Sequence, residues 1–93
     1  MHYTYVLYSQ CDGEWYTGAT SDLKTRVREH AEGRVESTAW RRPLLLAYYE
    51  ACLNREDAFR RERYLKTGRG KRYIRQRLAE WSNSVSQQEL ERQ

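Results

Sequence analysis

"TYVLYSQCDGEWYTG", residues 4–18, decides how this chain begins to fold. Residues 3–9 and 14–20 have the β-branched and aromatic content of strands. "QCDGE" between them carries an Asp-Gly pair, the short-range signal of a hairpin turn. The two predicted strands hold Tyr3, Tyr5, Tyr8 and Tyr16, more phenols than the packing of one hairpin demands.

Working outward, Ser21 is placed to cap a helix that starts at Asp22. Leu23, Val27, His30 and Ala31 then recur at i, i+4, i+7 and i+8. Gly33 is the residue expected just past that helix. "RVESTAWRR" reads as a polar loop with one exposed tryptophan. "PLLLAYYEA" reads as a third strand with Pro43 at its start, and its apolar run predicts a strand covered on both faces. Asn54 and Asp57 form a capping-box-like pair for a helix running to about Thr67, where Gly68 is expected to stop it. Gly70 falls in a short joint, and 71–81 form a last helix with Ile74, Leu78 and Trp81 on one stripe. The order is ββαβαα, an α+β arrangement of a three-stranded mixed or antiparallel sheet flanked by helices. Residues 1–81 make the domain, and the polar 82–93 read as a loose tail.

Ninety-three residues allow one core. No apolar run approaches the ~20 residues of a membrane span, and "MHYTYVLYSQ" lacks the pattern of a secretory signal. Cys11 and Cys52 have no CxxC spacing and no neighbouring histidine, which argues against structural zinc and a disulfide scaffold and for a reducing, cytoplasmic setting. The net charge of +4 is unevenly spread: twelve Lys/Arg face four acids between Arg41 and Arg77, a local excess of +8. Such a block is the electrostatic footprint of a polyanion partner, or else a solvated helical face. Trp40, Arg41 and Arg42 in the loop, with Arg61, Lys66, Arg69, Lys71 and Arg72 beyond it, are the expected nucleic-acid contacts.

Two polar residues stand at inward helical positions. Arg26 lies between Leu23 and Val27, with His30 one turn on; Glu62 lies between Ala58 and Leu65. A buried carboxylate is costly unless it is paired or binds a metal. An Arg26–Glu62 or a Glu62–Lys66 salt bridge would satisfy that need. So would an open site of acid, arginine and hairpin tyrosines. Phosphodiester cleavage needs a cation for developing negative charge, a metal, and a base for water. Arg26, Glu62 and either a phenol or His30 are the residue types that supply these.

At this point the chain resembles the GIY-YIG nuclease superfamily, in its small stand-alone bacterial branch. "YTY" at 3–5 and "YTG" at 16–18 stand where that family has its two name motifs. "GATSDLKTRVREHAEG" is similar to the family's G-x-T-x-[DN]-L-x-x-R-x-x-x-H-x-x-G, and "RRPLLLAYYE" and "DAFRRERYLKTGRGKRYIRQRL" extend the likeness over about residues 3–78. The nuclease domains of excision repair and of homing endonucleases are related.

The resemblance implies a three-stranded antiparallel sheet and a single divalent ion, Mg²⁺ or Mn²⁺. Tyr5 and Tyr16 then match the motif tyrosines, with either as general base, and Gly18 matches the second-motif glycine. Arg26 matches the phosphate-stabilising arginine, His30 the histidine one turn later and Glu62 the metal ligand. The implied activity is metal-dependent hydrolysis of nucleic acid, DNA before RNA; the alternative is a binding module of the same fold. Tyr3 and Thr4 replace Gly and Ile of the first motif, and Thr17 replaces Ile of the second. Ala19 stands where some relatives have a tyrosine-activating lysine, leaving that task to the metal or to Lys66.

Overall fold

The computed structural model describes residues 1–91, and the chain divides into two compact units, Met1–Arg63 and a second beginning at Tyr64. The first unit is built on a three-stranded antiparallel sheet in the order β2-β1-β3. Strand β1 is His2–Ser9, β2 is Trp15–Thr20 and β3 is Leu44–Cys52. The hairpin turn is held at Ser9, which is fully buried. Its hydroxyl accepts from the N–H groups of Cys11 and Asp12 and donates to the carbonyl of Arg41 at 2.7 Å. Gly13, at φ 73°, takes the left-handed conformation that closes the turn.

Central placement puts the core on β1, where Thr4, Tyr5, Val6 and Leu7 are each at most 2 % exposed. Strand β3 is an edge, which corrects the expectation that its apolar run is covered on both faces. Leu45 and Leu46 are more than a third exposed and Tyr49 is 53 % exposed. The run misleads because the register slips: Val6 pairs with Tyr48 but Leu7 with Leu46, leaving Ala47 as an extra residue. Past this bulge the in/out alternation of β3 is reset.

Side chains of β1 alternate between two faces. Tyr5 meets helix α1, Leu23–Ala31, on one face. On the other, the Thr4 hydroxyl donates to the Ala58 carbonyl of helix α3, Arg55–Leu65, at 2.9 Å. Helix α1 is capped by Asp22, whose carboxylate accepts from the Thr25 N–H at 3.1 Å, one residue later than the expected Ser21. It ends as expected at Gly33, φ 77°, with the Arg34 N–H on the Glu29 carbonyl and the Gly33 N–H on the His30 carbonyl. Asn54 caps α3, accepting from the N–H groups of Glu56 and Asp57. Between α1 and β3 the predicted loop contains a single helical turn, α2, Glu36–Ala39, which buries Val35 and Thr38.

The second unit contains α4, Gly68–Arg77, and α5, Ala79–Glu91. Here the structure corrects the expected boundaries. Gly68 begins a helix rather than stopping one, and Thr67 caps it by accepting from the Gly70 N–H at 3.1 Å. Gly70 is no joint: a Cβ there would sit 2.1 Å from the Tyr64 carbonyl oxygen. The expected helix 71–81 divides at Leu78, and helix continues through the stretch expected to be a loose tail, as far as Glu91. Its Gln, Glu and Leu residues favour helix. The last two residues of the predicted tail, Arg92 and Gln93, lie outside the described residues.

Candidate active site

The phenol of Tyr5 is the centre of the site. Its ring lies against Gly18 on β2, so closely that a Cβ on Gly18 would stand 2.4 Å from the phenol oxygen. Glycine is therefore required at this position to make room for a tyrosine of the neighbouring strand. The register confirms the placement, with Tyr5 paired to Gly18. Tyr16, two residues away on the same face, brings its ring centroid to 6.5 Å from that of Tyr5 and 5.2 Å from His30.

His30 is 1 % exposed and bridges two hydroxyls, Tyr5 at 2.8 Å from Nε2 and Thr38 at 2.7 Å from Nδ1. The network fixes its tautomer. The Thr38 hydroxyl donates to the Val35 carbonyl at 3.4 Å, so its oxygen accepts from Nδ1–H. Nε2 is then left to accept from the Tyr5 hydroxyl. Burial first, and the Arg26 cation second, push the His30 pKa down to about 4, against a smaller upward pull from Glu29. The ring is thus neutral near pH 7.

Arg26 reaches the same phenol oxygen from α1 and pairs with Glu29 at 3.5 Å. Burial acts to lower its pKa, but Tyr5 and Glu29 outweigh that and the net shift is upward, so the guanidinium stays charged. Tyr5 itself is raised to about 12, chiefly by burial. Arg26 opposes that rise, while Tyr16 and Glu62 add to it. Glu62 on α3 is thereby placed within electrostatic range of the phenol. Tyr5, Tyr16, Arg26 and His30 come from three elements and gather around one phenol, while the charge of Glu62, on a fourth, is felt there.

The expected nucleic-acid contacts divide. Trp40 is 69 % exposed and Arg42 is exposed, with its guanidinium over Gly33. Arg41 is turned inward. Its Nε donates to the Asp12 carboxylate at 3.0 Å and its Nη2 to the Trp15 carbonyl, tying the hairpin turn to the loop. Arg61 pairs with Glu50 of β3. Lys66, Arg69, Lys71 and Arg72 lie in the second unit and are exposed.

Sequence reasoning missed Thr38, Glu29 and the groove beside Arg26. Thr38 is the acceptor that orients His30, and nothing in a polar loop marks it out. Glu29 stands three residues after Arg26, a helical pair spacing that could have been read. An open groove of about 540 Å³ is walled by Thr20, Arg26 and Glu29 on one side and by Arg55, Ala58 and Phe59 on the other. Among the described residues, no three His, Cys, Asp or Glu side chains cluster as a self-sufficient metal cage. A single carboxylate such as Glu62 suits a hard ion that keeps waters and shares substrate phosphate oxygens, as Mg²⁺ does.

The family model described as "GIY-YIG catalytic domain" matches residues 1–75. UPF0213 protein BH0048 of Halalkalibacterium halodurans is 40% identical over 67 residues, covering 70% of this chain and 69% of that protein. UPF0213 protein HQ_3675A of Haloquadratum walsbyi is 36% identical over 88 residues, covering 92% and 94%. A solution NMR structure of the BH0048 protein, from Bacillus halodurans, matches with a TM-score of 0.50 and 37% identity, covering 78% of this chain and 80% of that one. Motifs, sheet topology and relatives agree: the chain belongs to the GIY-YIG family of nuclease-type catalytic domains, among its small UPF0213 members.

Proposed function

We propose that this protein is a divalent-metal-dependent endonuclease that hydrolyses phosphodiester bonds in DNA. One observation carries the reading: a charged arginine, a second phenol and a neutral histidine gather around the Tyr5 phenol, where the charge of the Glu62 carboxylate is also felt. A carboxylate beside a polyanion suits a nuclease, which needs a metal ligand, better than a domain that only binds.

Each residue has a distinct task. Arg26 takes a phosphoryl oxygen, exchanging its hold on Glu29 for the substrate, and stabilises the charge that builds on phosphorus. Tyr5, buried and held between Arg26 and His30, fixes the guanidinium from below. Its proton stays on oxygen near neutral pH, with its pKa at about 12. Tyr16 is half-buried and is the phenol able to reach a water in line with the phosphorus. As a phenolate, Tyr16 takes the water's proton while the water oxygen forms its bond to phosphorus and the opposite P–O bond breaks, and the leaving oxygen takes its proton from solvent. Glu62 would hold the divalent ion, which when bound polarises the phosphoryl oxygen and eases departure of the leaving oxygen.

Glu62→Gln tests this. The change is nearly isosteric, so the helix should survive. Metal-dependent cleavage of a DNA panel should disappear, while binding without metal holds or tightens and the melting temperature holds or rises. A folded variant that still cuts at the wild-type rate removes Glu62 from the site. Wild-type binding with no cleavage in Mg²⁺ or Mn²⁺ leaves a binding module.

A further inference from the structure

The groove beside Arg26 carries an aromatic wall that the five site residues do not use. Arg55, Phe59 and Glu62 stand at i, i+4 and i+7 on α3, which places them on one stripe. At 1.5 Å per residue, Phe59 lies about 5 Å and Arg55 about 10 Å along the axis from Glu62. A stacked strand advances ~3.4 Å per nucleotide. A strand with one phosphate at Arg26 and Glu62 therefore reaches Phe59 within one or two nucleotides and Arg55 within about three.

The chemistry of that wall is specific. Phe59 is half-buried, and the Arg55 guanidinium sits 5.2 Å from its ring centroid. A ring beside a cation receives a base by stacking and its phosphate by charge. Across the groove, Arg26 is offset by Glu29 at 3.5 Å. His2, from the start of β1, also lines the groove. The cationic character is therefore concentrated at the Arg55 end. The volume of about 540 Å³ lies between two helices and the end of β2. A base still stacked in a duplex presents only its edges to a protein, so stacking on a groove wall requires a base that has been splayed out.

We propose that this groove is a nucleotide subsite in which Phe59 stacks one unpaired base of the substrate strand while Arg55 holds a flanking phosphate. The substrate is then single-stranded, or opened, next to the cleaved bond. This rests on the nuclease reading for the meaning of "cleaved", but the subsite itself is a binding claim and is tested without cleavage.

The test is fluorescence anisotropy in EDTA with a labelled 12-nucleotide single strand and the matching duplex. Phe59→Leu keeps an apolar side chain and removes the π-face. It should weaken single-strand binding by roughly 10- to 100-fold, the range of one base stack, and leave duplex binding unchanged. Phe59→Trp should restore the preference. Arg55→Ala, at an exposed position, should weaken single-strand binding and reduce its log–log salt slope by about 0.7. Equal effects of Phe59→Leu on both probes, or no effect on either, overturn the subsite. Should Phe59→Leu fail to fold, an Arg55→Ala variant with unchanged affinity and slope overturns it alone. The two readings fail separately. Intact Phe59-dependent binding with no cleavage sinks the nuclease and keeps the subsite. Cleavage by Phe59→Leu at the wild-type rate on single strands and duplexes alike sinks the subsite and keeps the nuclease.

Discussion

Gly18→Ala asks whether the site is built around the Tyr5 ring. The new Cβ would stand 2.4 Å from the phenol oxygen, 2.5 Å from Cζ and 3.0 Å from Cε1. Unstrained carbon contacts lie near 3.5–4.0 Å, so the ring must retreat by about 1 Å. It is 1 % exposed on the central strand, so it can retreat only into the packed interior. Overpacking of this kind costs about 1–3 kcal/mol. The same retreat would stretch the 2.8 Å bond to His30 beyond hydrogen-bonding range and leave buried polar groups unsatisfied, for another ~1–3 kcal/mol. The expected loss is therefore about 2–6 kcal/mol, read as a lower urea midpoint at constant m-value. Tyr5→Leu removes all three clashing atoms. Adding Gly18→Ala to that background should cost less than about 1 kcal/mol, giving a coupling of at least ~1 kcal/mol in a double-mutant cycle. Equal costs of Gly18→Ala with and without the Tyr5 ring would refute the reasoning, as would a single variant as stable as wild type.

Two further outcomes follow from the buried network. The His30 pKa is depressed from 6.5 to about 4 in the folded protein, so the unfolded chain binds the extra proton first as pH falls. The stability from neutral His30 is complete above about pH 6.5 and is lost down to about pH 4, at most ~3 kcal/mol. Wild type should lose about 2 kcal/mol between pH 7.5 and 5 that His30→Gln does not lose, and parallel urea-unfolding profiles for the two would count against it. Arg26→Ala should lower kcat by ~10²–10³ with a much smaller loss of binding; an affinity loss with kcat intact at saturation would make Arg26 an ordinary binding residue.

The hairpin was legible because its turn chemistry and strand composition agree, and the helix ends were legible where a capping residue and a C′ glycine stand together. Other errors have physical causes. The Leu-rich run of β3 looked central because hydropathy does not reveal neighbours, and the Ala47 bulge resets its alternation. Gly68 and Gly70 looked like breakers. Yet Thr67 before them was a usable N-cap signal, and the close approach to Tyr64 and Leu65 that requires glycine at 70 exists only in three dimensions. Arg26, His30 and Glu62 stood out because polar side chains at inward helical positions need a reason. Thr38 did not, because a threonine in a polar loop is unremarkable until the loop folds over His30. Arg41 looked like one more cation of the basic block, and its partner Asp12 lies twenty-nine residues away.

The charge balance around Tyr5 links the fold to the chemistry. His30 is buried beside Arg26, and a second positive charge there would be both desolvated and repelled. Thr38 and the Tyr5 hydroxyl satisfy both ring nitrogens in the neutral form, so His30 needs no charge to be hydrogen-bonded. Arg26 is left as the cation of this network, and Glu29 balances it at a partly exposed position where solvent keeps the pair weak. On the proposed reading, a phosphodiester brings one negative charge, as the carboxylate does, and gains more as cleavage builds charge on phosphorus; it approaches from the open side of the groove. Replacing Glu29 at the guanidinium is then an exchange of one anion for another, with no newly exposed cation and no rearrangement of the buried Tyr5–His30–Thr38 chain. An arginine held in this way is positioned before substrate arrives, which is the condition under which a fixed charge stabilises a transition state more than a ground state.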